Sequence, residues 1–229
     1  MRKSIIVIGG GIMGTATAFH LANQGVKVIL FEKEYLGAGS TGLTGGIIRQ
    51  HYSVETSARM ALRAVKVWAN FDEVVGGEVG FEKTGVVFLT DGEGAAGMAA
   101  NVKMQQALGI RTQLLDGDGL QEIFPYLHTA DIGAAAYEPD GGFADGTMAC
   151  TAYANRAVDL GAQVRQGMAV TGIRVSGGSV EGVDTADGPV DAPVVVNTAG
   201  PWGPQLAREA GVIIPAEPSR HQIATFHQP

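Results

Sequence analysis

The first fifty residues alternate between continuous apolar runs and an amphipathic stretch, which is the pattern of strand, helix and strand. SIIVIGG opens the series with the uninterrupted apolar character of a buried parallel strand. The following residues place Ala16, Phe19 and Leu21 in a helical pattern, and VKVILFE then forms a second apolar run that ends in Glu32. We therefore predict a strand-helix-strand unit at the start of the chain.

The turn between the first strand and the helix carries the spacing G-x-G-x-x-G. Gly9 permits a tight turn, Gly11 lets the backbone approach a pyrophosphate, and Gly14 lets the helix pack closely on the strand. The phosphates would meet backbone N–H groups at the positive end of the helix dipole. Glu32 lies roughly 20 residues further on, where a carboxylate accepts hydrogen bonds from ribose hydroxyls and disfavours a 2′-phosphate. The sequence thus predicts a site for an unphosphorylated adenosine dinucleotide.

Beyond Glu32 the alternation continues after a glycine-rich connection, YLGAGSTGLTGGI, which is too irregular for a helix. Strands are predicted at TGVVFL, AQVRQG and VVVNTAG, and the stretch MAVTGIRVSGGSVEGVDTADGPVDA alternates around two glycine turns, as an antiparallel meander does. Helical patterns cover residues 53–75, 94–108, 119–124, 147–160 and 202–210.

This order of elements predicts an α/β fold with a Rossmann-like nucleotide-binding domain, a three-stranded meander and an inserted antiparallel second domain of α+β type. The nucleotide-binding domain would be split and comprise residues 1–50 and 143–211. Residues 51–142 and 212–229 would form the substrate-binding portion, which we expect to be incomplete at its C-terminal end.

Composition narrows the classes of function. The chain is 45% hydrophobic and 17% charged, as in a soluble globular protein, and its formal net charge of −7 argues against nucleic-acid binding. No apolar run reaches the roughly 18 residues of a membrane span. Cys150 is the single cysteine, which excludes an internal disulfide and a thiolate zinc cluster and favours a reducing, cytoplasmic location. His128, His221 and His227 show no metal-ligand spacing with one another or with nearby acids, so we predict no metal.

Several segments, taken in their order and spacing, carry a resemblance to a known family. They are VIGGGIMGTATAFHLANQGVKVILFEKE, GGIIRQHY, EKTGVVFL, YEPDGGFADG and VVNTAGPWGPQLAREAGVIIPAEPSRHQ. The sequence resembles the flavin-dependent amine oxidoreductases of the D-amino-acid oxidase superfamily, particularly the sarcosine oxidase, sarcosine dehydrogenase and glycine oxidase branch. The resemblance implies that the dinucleotide is FAD, which the glycine motif alone does not distinguish from NAD.

The resemblance also implies site residues. Arg49 would pair with the carboxylate of an amino-acid substrate, for which a guanidinium fork is suited, and His51 could line the same cavity or be structural. Trp202 could contact the cofactor or simply dock a helix. The positions implied to contact FAD are Gly9, Gly11, Ile12, Met13, Gly14, Glu32, Lys33, Ser40, Thr41, Gly45, Gly46, Ile47, Val170, Thr198, Ala199, Gly200 and Trp202.

The chain departs from the family pattern at particular positions. Gly46 stands where sarcosine oxidases carry a second basic residue, and Leu43 stands where dimethylglycine-type dehydrogenases attach FAD through a histidine. Family members also continue well beyond the length of this chain. We therefore expect a longer protein or a second subunit to supply the remainder, and no full turnover from this chain alone.

Simpler interpretations stay open for several candidates. Arg49 could be an ordinary surface cation, and Tyr52 could face substrate or pack. Cys150 is interpreted as a small packed residue. Asp140 and Asp145 flank a Gly-Gly turn and are assigned to the turn and to helix capping in preference to acid–base catalysis.

The function implied is FAD-dependent oxidation of the C–N bond of a small amino acid or N-methyl amino acid to an imine, followed by hydrolysis. Alternatives within the same superfamily are a 2-hydroxy-acid or glycerol-phosphate dehydrogenase. A non-catalytic FAD-binding subunit that needs a partner is a further alternative, and a nicotinamide dehydrogenase is the weakest.

Overall fold

The computed structural model describes residues 4–219 and 222. Within them the chain forms two compact units. The first unit comprises Met1–Gly45, Val75–Val79 and Asp145–Pro229, and the second comprises Gly46–Val74 and Gly80–Ala144.

Strands and helices alternate along the described residues. In chain order they are β1 (Ile5–Ile8), α1 (Ile12–Asn23), β2 (Val28–Phe31), β3 (Ile47–Ile48), α2 (Glu55–Ala69), α3 (Phe71–Val74), β4 (Val86–Thr90), α4 (Ala95–Ala107), β5 (Gln113–Leu115), α5 (Gly117–Ile123), β6 (Ala134–Glu138), β7 (Gly142–Phe143), α6 (Gly146–Asp159), β8 (Gln163–Arg165), β9 (Val170–Ser176), β10 (Ser179–Thr185), β11 (Gly188–Asp191), β12 (Val194–Asn197) and α7 (Gly203–Glu209). A 3₁₀ turn, Gly200–Trp202, precedes α7.

The first unit is built on a four-stranded parallel sheet with strand order β12-β1-β2-β8. Strand β1 is central, with Ile6 aligned to Val195 on one side and to Ile29 on the other. Helices α1 and α6 pack together, and the rings of Phe19 and Tyr153 meet at 5.5 Å between centroids. The meander β9-β10-β11 forms a separate antiparallel sheet.

The core of the first unit explains the uninterrupted apolar runs. Ile6, Ile8 and Phe31 from the parallel sheet pack with Val183 and Ala192 from the meander region. Val7 is also fully buried, although its side chain leaves the opposite face of β1 from that of Ile6. A strand that is covered on both faces has no solvent-facing position, and so its sequence shows no polar alternation.

The second unit contains a three-stranded antiparallel sheet with order β4-β6-β5 and a two-stranded pair of β3 with β7. Helix α4 packs on β6, with Met98 and Val102 of the helix against Ala134 and Ala136 of the strand. The predicted fold class is confirmed, with a parallel α/β sheet and separate antiparallel sheets.

The boundaries between the units differ from those placed on the sequence. Gly46–Gln50 and Phe143–Ala144 belong to the second unit, because β3 pairs with β7 and the N–H of Ala144 donates to the carbonyl of Gly46. Val75–Val79 belongs to the first unit, and so do the described residues after Gly211. Residues 220, 221 and 223–229 of the predicted 212–229 segment lie outside the described residues. The division into nucleotide-binding and substrate-binding roles stays a prediction.

The helix predicted over residues 53–75 is interrupted. Helix α2 ends at Ala69 and the short α3 begins at Phe71, with Asn70 between them in a non-helical conformation. The side-chain amide of Asn70 donates to the carbonyl of Lys66 at 2.8 Å. An asparagine side chain competes in this way for the backbone groups that would continue a helix.

Within the described part of the chain, no helix combines the length and the apolar content that crossing a bilayer requires.

Candidate functional site

The glycines after β1 each meet a different steric requirement. Gly9 has φ +107°, and a Cβ there would lie 2.6 Å from the carbonyl oxygen of Thr198. A Cβ on Gly14 would lie 1.8 Å from the carbonyl oxygen of Gly9, so only glycine lets α1 start this close to the turn. At Gly11 the nearest atom to a Cβ is the hydroxyl of Thr41 at 3.1 Å. Gly9 and Gly14 are therefore required for the close packing of the turn, whereas Gly11 leaves the N-terminus of the helix free of a side chain.

The N-terminus of α1 presents free backbone donors. The N–H of Ile12 donates to the Thr41 hydroxyl at 3.1 Å, and Gly11 caps the helix without a side chain. The amides of Met13 and Gly14 have no acceptor among the described residues. Such unpaired N–H groups at the positive end of a helix dipole suit a phosphate.

Glu32 lies at the end of β2, as predicted, and is 8% exposed. One carboxylate oxygen accepts the N–H of Gly10 at 2.6 Å, and the other accepts the N–H of Glu34 at 2.9 Å. These two bonds fix the carboxylate on the glycine turn. Each oxygen can still accept another hydrogen bond, so the ribose role remains chemically available.

A cavity of about 590 Å³ opens beside these groups, wholly within the first unit. Its volume is in the usual range of small-molecule sites. The predicted cofactor residues that line it are Gly9, Gly11, Ile12, Met13, Glu32, Lys33, Ser40, Thr41, Val170, Thr198, Ala199, Gly200 and Trp202. Residues from the glycine turn, the end of β2, the start of β9 and the end of β12 thus meet around one space.

The remaining predicted cofactor residues lie elsewhere. Gly14 packs beneath the turn, and Gly45 does not line the cavity. Gly46 and Ile47 belong to the second unit, where Gly46 has φ +66° and Ile47 pairs with Phe143. The structure therefore does not bring these four to the cavity.

Sequence reasoning missed one wall of the cavity, formed by Gln205, Leu206 and Glu209 of α7. The sequence spacing could have indicated this wall. Gln205 and Glu209 are four residues apart and so share one face of the predicted helix, and that helix follows the strand whose end was expected at the cofactor. The other lining residues outside the prediction are Ile8, Phe31, Glu34, Ala38, Gly39, Ala169, Thr171 and Pro201.

Lys33 and Trp202 form a cationic edge of the cavity. The ammonium of Lys33 lies 3.7 Å from the centroid of the Trp202 ring and 3.6 Å from the carboxylate of Glu34. A cation over an aromatic face is held electrostatically by the ring. Trp202 therefore both lines the cavity, in contact with Lys33, and precedes helix α7.

Arg49 lies in the second unit, directly after β3, and is exposed. Its Cζ lies 4.9 Å from the Tyr52 ring centroid and 5.3 Å from that of Phe88. Among the described residues no carboxylate forms an ion pair with it. A cation that is in direct contact with no carboxylate of the protein can receive the carboxylate of a ligand.

His51 stacks on Phe88 at 4.6 Å between ring centroids. Burial lowers the pKa of His51 below its usual 6.5, the positive charge of Arg49 lowers it further, and the Gln105 side chain opposes the shift. Burial and the charge of Arg49 thus both favour the neutral imidazole. The sequence left open whether Tyr52 faces substrate or packs, and in the structure its ring lies against Arg49.

The other candidate groups have structural roles. Asp145 caps α6 by accepting the N–H groups of Thr147 and Met148, as predicted. Asp140 pairs with Arg111 and Lys83. Cys150 is fully buried, and burial raises the pKa of its thiol to about 11, so it stays protonated and unreactive. In the described ranges no three His, Cys, Asp or Glu side chains are grouped to hold a metal ion.

Comparison with known proteins gives this arrangement a context. A model of the FAD dependent oxidoreductase (DAO) family matches residues 4–229. Mitochondrial sarcosine dehydrogenase of Mus musculus is 30% identical over 226 residues, which cover 95% of this chain and 25% of that protein. Sarcosine oxidase subunit beta of Rhodobacter capsulatus is 30% identical over 223 residues, which cover 94% of this chain and 54% of that protein.

A solved structure shares the fold. L-proline dehydrogenase from P. horikoshii superimposes with a TM-score of 0.85 at 33% identity, over 92% of this chain and 56% of that one. The chain thus spans between 25% and 56% of the length of these three proteins.

Proposed function

Since the chain belongs to the family of FAD-dependent oxidoreductases, we propose that it takes part in oxidising the C–N bond of a small amino acid or N-methyl amino acid. The cofactor is FAD. The observation that carries the substrate class is Arg49, which is exposed, lies close to the rings of Tyr52 and Phe88, and forms no ion pair with a carboxylate among the described residues.

Groups in the first unit support the assignment of FAD to its cavity. The unpaired amides at the start of α1 would hold the pyrophosphate, and the side-chain-free position at Gly11 allows its close approach. Glu32 would accept the ribose hydroxyls. FAD, when bound, supplies an acceptor for the hydride that leaves the substrate carbon next to nitrogen.

The residues of this chain would bind and orient the substrate. The guanidinium of Arg49 would take the substrate carboxylate in a two-point grip and so fix the neighbouring carbon. Removal of the hydride and of the proton on nitrogen leaves an imine, and in this proposal the imidazole of His51 would accept that proton. Water then adds to the imine and the C–N bond breaks, giving a carbonyl compound and an amine.

The proposal predicts how substitution of Arg49 acts. Arg49→Gln removes the charge and the fork, and we expect the efficiency with carboxylate substrates to fall about 10- to 100-fold, as for the loss of a charged hydrogen bond. Arg49→Lys keeps the charge without the fork. Its efficiency with carboxylate substrates should lie between that of the unsubstituted chain and that of Arg49→Gln.

The test is anaerobic reduction of the FAD-loaded protein, followed as loss of flavin absorbance in a single turnover. Sarcosine, glycine and proline are compared with lactate and glycerol 3-phosphate. Bleaching by amino acids, weakened by Arg49→Gln, supports the proposal. Bleaching by lactate alone would instead assign the site to the hydroxy-acid alternative, since Arg49 also suits a hydroxy-acid carboxylate. Bleaching by glycerol 3-phosphate alone would assign it to the glycerol-phosphate alternative.

A second candidate is an FAD-binding subunit that is catalytic only with a partner chain. The relative from Rhodobacter capsulatus is by name one subunit of an enzyme, and this chain spans 54% of it. FAD retention without reduction by any substrate of the panel would favour this candidate. The cytoplasmic location inferred from the single cysteine also stays a prediction.

A further inference from the structure

The segment Arg49–Tyr52 has no helix or strand structure of its own and is held by two buried polar side chains. One carboxylate oxygen of Glu138 accepts the N–H of Gln50 at 2.8 Å. The side-chain amide of Gln105 donates to the carbonyl of Tyr52 at 3.0 Å. The two bonds bracket the segment and involve only its backbone.

Both buried side chains come from one packed body within the second unit. Glu138 ends the central strand β6 of the three-stranded sheet, and Gln105 lies on α4. Met98 and Val102 of α4 pack on Ala134 and Ala136 of β6. A segment tied at both ends to such a body takes its position from the core of the unit.

Packing alone does not account for these two residues. Glu138 and Gln105 are each 0% exposed, and burying a carboxylate or an amide costs free energy that an apolar side chain of similar size avoids. Burial raises the pKa of Glu138, and the negative charge of Asp140 adds to this increase. The N–H groups of Gln50 and His51 and the positive charge of Arg49 partly offset the increase. The second oxygen of Glu138 has no hydrogen-bond partner among the described residues.

The bracket determines where Arg49 can lie. The amide that Glu138 accepts follows Arg49 directly, and the carbonyl bound by Gln105 belongs to Tyr52, whose ring lies 4.9 Å from the guanidinium carbon. Release of either bond frees the backbone on one side of that cation–ring contact. The guanidinium would then sample many rotamers before each binding event.

We propose that Glu138 and Gln105 are positioning residues, which hold the Arg49–Tyr52 segment so that the Arg49 guanidinium is preorganised for a carboxylate. The inference rests on the proposed role of Arg49 in substrate binding. Neither residue touches the substrate in this scheme, and each holds the segment chiefly through a hydrogen bond to its backbone.

The experiment uses the FAD-loaded, ¹⁵N-labelled chain and follows the side-chain Nε–H resonance of Arg49 during titration with acetate. Acetamide serves as the uncharged control probe. Gln105→Leu and Glu138→Leu remove the two bonds. Gln106→Leu is the matched control, because its side-chain amide also donates to a backbone carbonyl, that of Thr112, away from the segment. Glu138→Gln keeps an acceptor oxygen for Gln50.

We expect the acetate Kd to rise at least fivefold in Gln105→Leu and Glu138→Leu, and to stay within twofold in Gln106→Leu and threefold in Glu138→Gln. Acetamide should not distinguish these proteins. Equal acetate binding in the folded leucine variants and the unsubstituted chain would overturn the inference and leave the proposed function standing. No acetate response at Arg49 in the unsubstituted chain would overturn both.

A second measurement applies if the leucine variants do not fold. Hydrogen exchange at the Gln50 amide of the unsubstituted chain should be protected at least tenfold relative to an unstructured peptide, because its N–H is bound to a buried carboxylate. Exchange at the rate of an unstructured peptide would overturn the inference without any substitution.

Discussion

At the residue scale, the site depends on polar side chains whose hydrogen-bond partners are set by the tertiary fold. Glu32 is predictable from its place at the end of a strand that follows the glycine motif. Its bonds to the amides of Gly10 and Glu34 are not, because they depend on the fold of the turn. Glu138 and Gln105 were missed, since a glutamate before Pro139 at a strand end has the sequence of an exposed position. Their burial follows only from tertiary packing.

Substitution of Glu32 tests its double role. Glu32→Gln leaves one acceptor oxygen for two backbone N–H groups, so one of the amides of Gly10 and Glu34 loses its partner at a cost of about 1–3 kcal/mol. We expect a lower free energy of unfolding and weaker FAD binding, measured by denaturant unfolding and by titration. Glu181→Gln, at an exposed position in β10, is the control. Unchanged stability and affinity in Glu32→Gln would contradict this role.

Asp140 gives a prediction about acid stability. Hydrogen bonding to Arg111 is the main cause that lowers its pKa from 3.8 to about 2, with Lys83 adding to the effect. Because the folded-state pKa is depressed, this stabilisation is present above pH 3.8 and is lost as the pH falls through about 2. In Asp140→Asn the free energy of unfolding should therefore fall less than in the unsubstituted chain between these pH values.

The size of the Asp140 effect should be below about 1 kcal/mol, because exposed ion pairs are screened by solvent. Unfolding measured across this pH range, at low and at high salt, provides the check, and salt should reduce the difference between the two proteins. A difference that grows as the pH falls from 4 to 2 would have the wrong sign for the ion pairs.

At the element scale, hydrophobic periodicity located the strands and helices because each buries a defined face or both faces in a core. The strand β1 and the meander appeared where the apolar runs and the glycine turns placed them. The helix break at Asn70 and the placement of residues 46–50 in the second unit could not be predicted from the sequence. They result from one side-chain hydrogen bond and from the β3–β7 pairing, which join residues without a periodic signature.

The contact between α1 and the glycine turn predicts opposite effects of alanine at two helical glycines. Gly14→Ala places a Cβ 1.8 Å from the carbonyl oxygen of Gly9, and we expect a loss of about 1–3 kcal/mol in stability as α1 shifts. Gly97→Ala in α4 meets nothing within 4 Å and should stabilise the chain by up to about 1 kcal/mol.

Denaturant unfolding of the two alanine variants, each referenced to the unsubstituted chain, compares them directly. Equal stability of the Gly14 and Gly97 variants would show that α1 does not need the close approach to the turn.

At the scale of the whole molecule, the two units contribute different chemistry. The first gathers most of the predicted cofactor residues around a single cavity, and the second holds Arg49 and the side chains that fix its segment. The parallel sheet made the first assignment predictable, since strand ends and the helix N-terminus converge at one edge. The wall from α7 was not predicted, because it depends on how the last helix packs beside β9.

Titration of the purified chain with FAD and with NAD⁺, followed by flavin fluorescence, tests whether the cavity of the first unit holds FAD. We expect FAD to saturate at one molecule per chain, NAD⁺ not to displace it, and Gly11→Ala to weaken it at least tenfold without a loss of folding, since a Cβ there meets only the Thr41 hydroxyl. A folded chain that binds no FAD, or one from which NAD⁺ displaces FAD, would contradict the account.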